Sequence, residues 1–268
     1  VPLLALERRS RILELLSQTS TVTVERLAAE FGVTRETVRR DLDSLETQGA
    51  LHRVHGGATA AGAAPRTETP LHDRHSTHSA QKRRIAQAAL QFLPPSPGGS
   101  MIIDAGSTTE AFADMVALET AAGAAERSRH LLTNALPVAA KLSDVEALDM
   151  EVIGGRVRGI TGAAVGPTTV ETLSRRSADV AFIGTNGVDG PFGLSTPDSA
   201  EAAVKTALIR AARRTILLAD ASKFERTSLV QFARLEEIAI LITDAAPPVR
   251  LAEALDAAEV SVIVAEAP

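Results

Sequence analysis

Apolar residues recur at helical spacing through the first fifty positions and in short strand-like runs further along the chain. Ile12, Leu13, Leu15 and Leu16 mark one face of a first helix, and Val24, Leu27, Ala28 and Phe31 repeat that spacing in a short second one. Gly32-Val33-Thr34 interrupts the rhythm. Val38, Leu42 and Leu45 then fall at i, i+4 and i+7 and predict a third helix, which Gly49 is placed to end. Ala50 to Val54 alternates and His55-Gly56-Gly57 reads as a turn, so a two-stranded wing is expected. Ala58 to Pro70, ATAAGAAPRTETP, carries neither period and is broken by Pro and Gly, the signature of a linker. The expected organisation is a small domain over 4–57, a linker over 58–73 and a larger domain over 74–268.

In the larger part, apolar runs alternate with amphipathic stretches. The runs Met101–Asp104, His130–Thr133, Met150–Ile153, Val180–Ile183, Ile216–Ala219, Ile238–Ile242 and Val260–Ala265 predict strands. Ala80–Phe92, Thr109–Leu118, Ser199–Ala212 and Val249–Ala257 predict helices among them. Such alternation implies an α/β domain with a mainly parallel sheet, whose ligands sit beyond the carboxyl ends of its strands.

Composition narrows the chemistry. The chain has 268 residues, 45% hydrophobic but only 3% aromatic, so its cores are built from Ala, Leu, Val and Ile. With no cysteine, disulfides, thiolate nucleophiles and Cys-ligated metals are excluded. No apolar run nears the roughly 20 residues of a membrane helix, and residues 1–11 lack a signal-peptide pattern, so a cytoplasmic location is expected. The net charge of −5 argues against indiscriminate coating of nucleic acid. A sequence-specific reader needs only a local basic face.

The third helix offers one. Two short helices joined by a tight turn form a helix-turn-helix, whose second member enters the major groove. Thr34 is placed as its N-cap. With Val38, Leu42 and Leu45 inward, Arg35, Glu36, Arg39, Arg40 and Asp43 face outward and Thr37 lies at the boundary. An arginine can read guanine bidentately, while others, with Arg53 in the wing, hold phosphates. The competing reading is a solvated face in which the arginines balance Glu36, Asp41 and Glu46. The run Arg8 to Ala58, above all LAAEFGVTRETVRRDLDSLE and GALHRVHGGA, resembles the DNA-binding domain of the DeoR family of bacterial repressors. That resemblance implies recognition through the helix beginning at Arg35, with backbone contacts from the wing, including His55.

In the larger domain, Asp104-Ala105-Gly106-Ser107-Thr108-Thr109 follows a strand and opens a helix, where backbone N–H groups and hydroxyls can receive an anion. It is neither a Walker loop nor a dinucleotide fingerprint. Thr133-Asn134, Gly154-Gly155-Arg156, the loop Gly184 to Gly190 and Asp220-Ala221-Ser222-Lys223 follow other strands. Together they supply the donors, acceptors and cation that a polyol phosphate requires. The stretches KRRIAQAA, IIDAGSTT, LLTNALPVA, VIGGRVRGITGAAVG, ADVAFIGTNGVDGPFGLST and ILLADASKF resemble the DeoR-type sensor domain, which is similar to the ribose-5-phosphate isomerase fold. The resemblance implies that Gly106, Ser107, Thr108, Thr109 and Lys223 hold an effector phosphate. It implies that Asp104, Asn134, Gly155 and Gly184 line the pocket, with Asp198, Glu201 and Lys205 toward the sugar. Glu225 departs from the family, where a small residue is commoner, and brings a negative charge near the phosphate loop.

Two rival chemistries are weighed. A sugar-phosphate isomerase needs a carboxylate base over the sugar. Val204 and Lys205 fall where it would stand, with Glu201 one turn earlier, so no catalytic residue is expected. His72, His75 and His78 have a spacing that could bind a metal, but with no cysteine and a bordering linker a hinge role is favoured. No cofactor or metal is expected. The expected partners are operator DNA, a phosphorylated sugar and further copies of the chain, as a dimer or higher even oligomer.

Overall fold

The computed structural model describes residues 5–19, 21–54, 57–60, 71–121 and 129–266, in two compact units, Val1–Thr69 and Pro70–Pro268. In the first unit the order is α1 (Ala5–Thr19), β1 (Thr21–Thr23), α2 (Val24–Phe31), α3 (Arg35–Thr47), β2 (Leu51–Val54) and β3 (Gly57–Ala60). Ile12, Leu16, Leu27, Val38, Leu42 and Leu51, all nearly sealed from solvent, join the three helices to the sheet. The wing has three strands in the order β1-β3-β2, not the expected two, because β1 adds to the free edge of β3. A Cβ on Gly57 would lie 2.0 Å from the Val22 carbonyl oxygen, so only glycine allows β1 and β3 to come this close.

The expected linker is therefore too long at both ends. Ala58 to Ala60 belong to β3, where ladder pairing with β1 and β2 overrides their small, featureless side chains. At the other end, Leu71 is buried and opens α4 (Leu71–Ser76). Residues 61–70 lie outside the described residues.

After α4 the second unit continues with α5 (Ser79–Ala89), β4 (Ser100–Ile103), α6 (Ser107–Ala121), β5 (Arg129–Thr133), α7 (Leu136–Leu142) and β6 (Leu148–Val152). Next come β7 (Arg156–Arg158), β8 (Ala163–Val165), α8 (Pro167–Leu173), β9 (Ala178–Gly184), β10 (Gly187–Asp189), β11 (Gly193–Thr196) and α9 (Ser199–Arg210). The unit closes with β12 (Ala212–Leu218), β13 (Val230–Ala233), β14 (Ile240–Thr243), α10 (Val249–Ala257) and β15 (Ser261–Val264). The seven runs read as strands are the seven strands of one parallel sheet, ordered β15-β14-β12-β9-β4-β5-β6.

Side chains alternate across this sheet, as the pleat requires. Met101 and Ile103 of β4 pack with Ile85, Phe112 and Val116 of α5 and α6, while Ile102 faces the opposite layer, which includes Leu173, Leu208 and Leu255 of α8, α9 and α10. Chain order runs outward from β4 through β5 to β6, then restarts at β9 and runs the other way. That reversal falls at the carboxyl ends of β4 and β9, the usual seat of ligands in open α/β sheets.

Candidate functional site

In the first unit, Gly32 ends α2 with φ at 63° and bonds back to the Ala28 carbonyl, a left-handed turn that glycine adopts without strain. Thr34 then caps α3, its hydroxyl oxygen accepting from the Thr37 N–H at 3.2 Å. Arg35, Glu36, Arg39 and Arg40 are exposed on the outer face, and Thr37 is half-buried. Their ion pairs are all open to solvent. Arg35 stands 3.0 Å from Glu25, and Glu36 lies 3.8 Å from Arg39 and 3.5 Å from Arg40. Exposed pairs of this kind contribute at most about 1 kcal/mol, so a phosphate or guanine can displace them.

Arg53 behaves differently. Its Nε is 3.3 Å from Asp43, and its backbone N–H donates to Glu46 at 2.9 Å, which pins the wing to α3. His55 lies outside the described residues. Asp41, placed in water by the solvated-face reading, is instead 2% exposed and accepts hydrogen bonds from Arg8 at 2.5 Å and Arg9 at 3.0 Å. It locks α3 to α1.

In the second unit the strand reversal is organised around Asp104, just past the end of β4. The buried carboxylate accepts from Lys205 of α9 and from the Gly184 N–H at 3.2 Å, and Lys205 also donates to the Gly184 carbonyl at 2.9 Å. Burial pushes the Asp104 carboxyl up while Lys205 opposes that shift. These three expected pocket residues form a fixed joint across the strand reversal. Next to it, α6 opens at Ser107. Thr109 donates its hydroxyl to the Gly106 carbonyl at 2.8 Å, which leaves Ser107 and Thr108, with the uncommitted N–H groups of the first turn, as donors toward an anion.

At the end of β12, Asp220 and Lys223 face each other electrostatically. Burial lowers the Lys223 ammonium, with Asp220 opposing the shift and Arg226 and Arg74 adding to it. For Asp220, burial works against ionisation, but Lys223, the Ser222 contact, His78 and Lys82 outweigh it and hold the carboxyl below its ordinary range. Lys82 was not singled out from the sequence. It is 5% exposed, donates to the Thr77 carbonyl at 2.6 Å, and burial lowers it to about 8. The signal was present, since Lys82, Ile85, Ala86 and Ala89 share one buried face of α5, and a lysine on an apolar stripe demands a reason.

Other expected residues are committed within the protein. Asp198 caps α9, accepting from the Ala200 and Glu201 N–H groups at 2.9 Å each, and lies 3.2 Å from Arg158. Glu201 accepts from Thr161 at 2.5 Å and Arg158 at 3.2 Å on one oxygen and from Thr196 at 3.3 Å on the other. A carboxylate so enclosed is not placed as a base. Gly155 is explained by packing, because a Cβ there would lie 2.1 Å from the Thr169 hydroxyl. Glu225 is exposed in a turn with φ at 50°. His75 stands 3.2 Å from Glu110 of α6, and among the described residues no cluster of His, Asp or Glu is arranged to hold a metal ion.

Buried polar atoms without partners concentrate at this edge. Glu110 Oε1, Asn134 Oδ1, Asp220 Oδ2 and Thr243 Oγ1 are all buried and unbonded. Three of them follow or end strands β5, β12 and β14, and the fourth lies in the first turns of α6. Native proteins leave few such atoms, and each calls for an explanation.

A helix-turn-helix unit followed by an α/β sensor unit defines a DNA-binding transcription regulator. The chain belongs to the DeoR family: residues 8–63 match the DeoR-like helix-turn-helix domain and residues 77–245 the DeoR C terminal sensor domain. It is 36% identical over 262 residues to the HTH-type transcriptional regulator GlpR of Haloferax volcanii, covering 97% of this chain and 98% of that one. It is 32% identical over 249 residues to the glycerol-3-phosphate regulon repressor of Escherichia coli K12, covering 93% and 94%. A solved D-ribose-5-phosphate isomerase in complex with phospho-erythronic acid aligns at 18% identity and a TM-score of 0.40 over 55% of this chain and 54% of its own. The full-length relatives are regulators and repressors, and this chain is a regulator rather than an enzyme. Among the described residues no helix is long and apolar enough to cross a membrane.

Proposed function

We propose that this chain is a repressor of a carbohydrate-metabolism operon whose grip on its operator is set by a phosphorylated sugar or polyol. Arg35, Arg39 and Arg40 read or hold the duplex from α3, and Thr34 and Thr37 fix the start of that helix. The first turn of α6 and Lys223 hold the phosphate, with Lys82 adding positive potential. The observation that carries the sensing role is the concentration of cations and unpaired buried polar atoms at the carboxyl edge of the sheet. An anion with hydroxyls answers both features. The protein acts as a dimer or higher even oligomer on repeated half-sites, since two-fold protein symmetry matches operator symmetry, and it works in the cytoplasm.

The test is a promoter-DNA titration with and without the best phosphorylated sugar from a thermal-shift screen. Lys223→Ala is expected to bind DNA as the wild type does while losing most of the response to effector. An unchanged response in that variant removes Lys223 from the phosphate site.

A further inference from the structure

A strand that ends a sheet carries a row of unpaired N–H and C=O groups, and native proteins guard such edges with charges, proline or bulges. Among the described residues the seven-stranded sheet has two edges, β6 and β15. β6 is guarded: Asp149 pairs with His130 at 2.8 Å and Glu151 with Arg176 at 2.6 Å. β15 reads Ser-Val-Ile-Val, with no charge and no proline, and its register with β14 runs without a bulge. Val262 and Val264 on it are 37% and 42% exposed.

That edge is complementary to itself. Ser261 and Ala265 donate their N–H groups to the Ala239 and Thr243 carbonyls on the β14 side. In a parallel ladder the backbone groups of alternate residues face opposite neighbours, so those of Val262 and Val264 face outward. Two copies of β15 running antiparallel about a two-fold axis at Ile263 set Val262 opposite the partner subunit's Val264, with the outward groups of both residues in register for hydrogen bonds.

The helix beside the strand fits the same arrangement. Ile263 packs into the layer of α5 and α6, so the two valines stand on the α10 face. There Val249 is 74% exposed, and Ala252, Asp256, Ser261 and Val262 line one open groove. A stable pair needs about 800 Å² from each partner, more than a four-residue strand offers, so this face of α10 belongs to the surface as well. Charge agrees. Arg250 is exposed in the first turn of α10, and Asp256 and Glu259 are exposed at and just past its last turn. Antiparallel strands set the two α10 helices antiparallel, which turns Arg250 of one copy toward the acids of the other.

We propose that the open edge of β15, with the outer face of α10, is the surface on which a second copy of this chain docks, the two β15 strands joining their sheets across a two-fold axis. This rests on the even-oligomer reading above and gives that assembly its surface.

The test is sedimentation of the full chain without DNA, wild type against Val262→Lys. Lysine on an edge strand blocks pairing, and at an exposed position it leaves the fold intact, which circular dichroism checks. The mass of the assembly is expected to halve in the variant. The chain has no cysteine, so Val262→Cys and Val152→Cys each carry a single thiol, on β15 and on the guarded β6. Val262→Cys is expected to crosslink to a dimer with a short bismaleimide, because diagonal cross-strand neighbours lie about 7–8 Å apart, and Val152→Cys is expected to stay uncrosslinked. A wild type that is monomeric at tens of micromolar overturns the even-oligomer reading, and this proposal with it. An assembly that keeps its mass in Val262→Lys, or whose Val262→Cys protein does not crosslink, overturns this surface alone.

Discussion

Asp41 carries more of the first unit than its neighbours in sequence suggest. One carboxylate neutralises Arg8, which is 7% exposed, and also holds Arg9, and it does so from the face of α3 opposite the exposed arginines. Removing one partner of a buried pair leaves the other charge uncompensated and costs about 3–5 kcal/mol. Asp41→Ala is therefore expected to lower the stability of the first unit by roughly 3 kcal/mol, measured by denaturant unfolding; a loss below about 1 kcal/mol would show that the pair behaves as if solvated. The sequence placed Asp41 in a run of charged residues and gave no sign that it was buried, because burial was decided by α1 packing across α3. Thr34 was readable because a cap is local. The commitments of Asp198 and Glu201 were not, since both depend on Arg158, some forty residues away.

Among elements, the contact between α4 and α6 is where titration enters. Glu110, 2% exposed, faces His75 and Arg74 of α4, Asp114 of its own helix and Lys141 of α7. Burial raises its carboxyl to about 7, opposed by Lys141 and assisted by Asp114. The folded state therefore holds a proton that the unfolded chain has released, and stability contributed below pH 4.5 is lost as pH rises toward about 7. The size is on the order of 3 kcal/mol. His75 acts in the opposite sense, since burial, Lys141 and Lys82 lower it and stability falls as pH drops below its ordinary value. Glu110→Gln is expected to flatten the decline of melting temperature between pH 4.5 and 7. If wild type and variant show parallel curves through that window, Glu110 is not the group responsible. The parallel strands were legible from their apolar runs, most plainly in β4, β9, β12 and β14, whose cores are buried on both faces, and less so in the largely exposed edge strands β6 and β15. Strands β7, β8, β10, β11 and β13 were not. They are only three or four residues long and antiparallel, too short to show a period; β7 pairs with β8 and β10 with β11 across short connections, while β13 pairs with β11 from more than thirty residues away.

For the whole molecule, the exposed arginines of α3 predict binding dominated by phosphate contacts despite a net charge of −5. Affinity for promoter DNA is expected to fall steeply with salt, and Arg39→Ala to reduce affinity while the protein stays folded; where Arg39 contacts only phosphate, the log–log salt slope falls by about one. A salt-independent affinity, or an Arg39→Ala protein that binds as tightly as wild type, would remove α3 from the interface. What the sequence determined alone was everything set within a few turns of chain: helix periodicity, the caps, the turn glycines, the apolar runs of the parallel sheet and the motifs that mark the family. Tertiary structure alone decided which polar groups are spent and which remain. Asp104 and Lys205, or Asp198, Glu201 and Arg158, satisfy one another, whereas Asn134 Oδ1 and Asp220 Oδ2 are left without donors. Hydrogen-bond saturation is a property of neighbours in space, and strand order brought residues more than a hundred positions apart into contact.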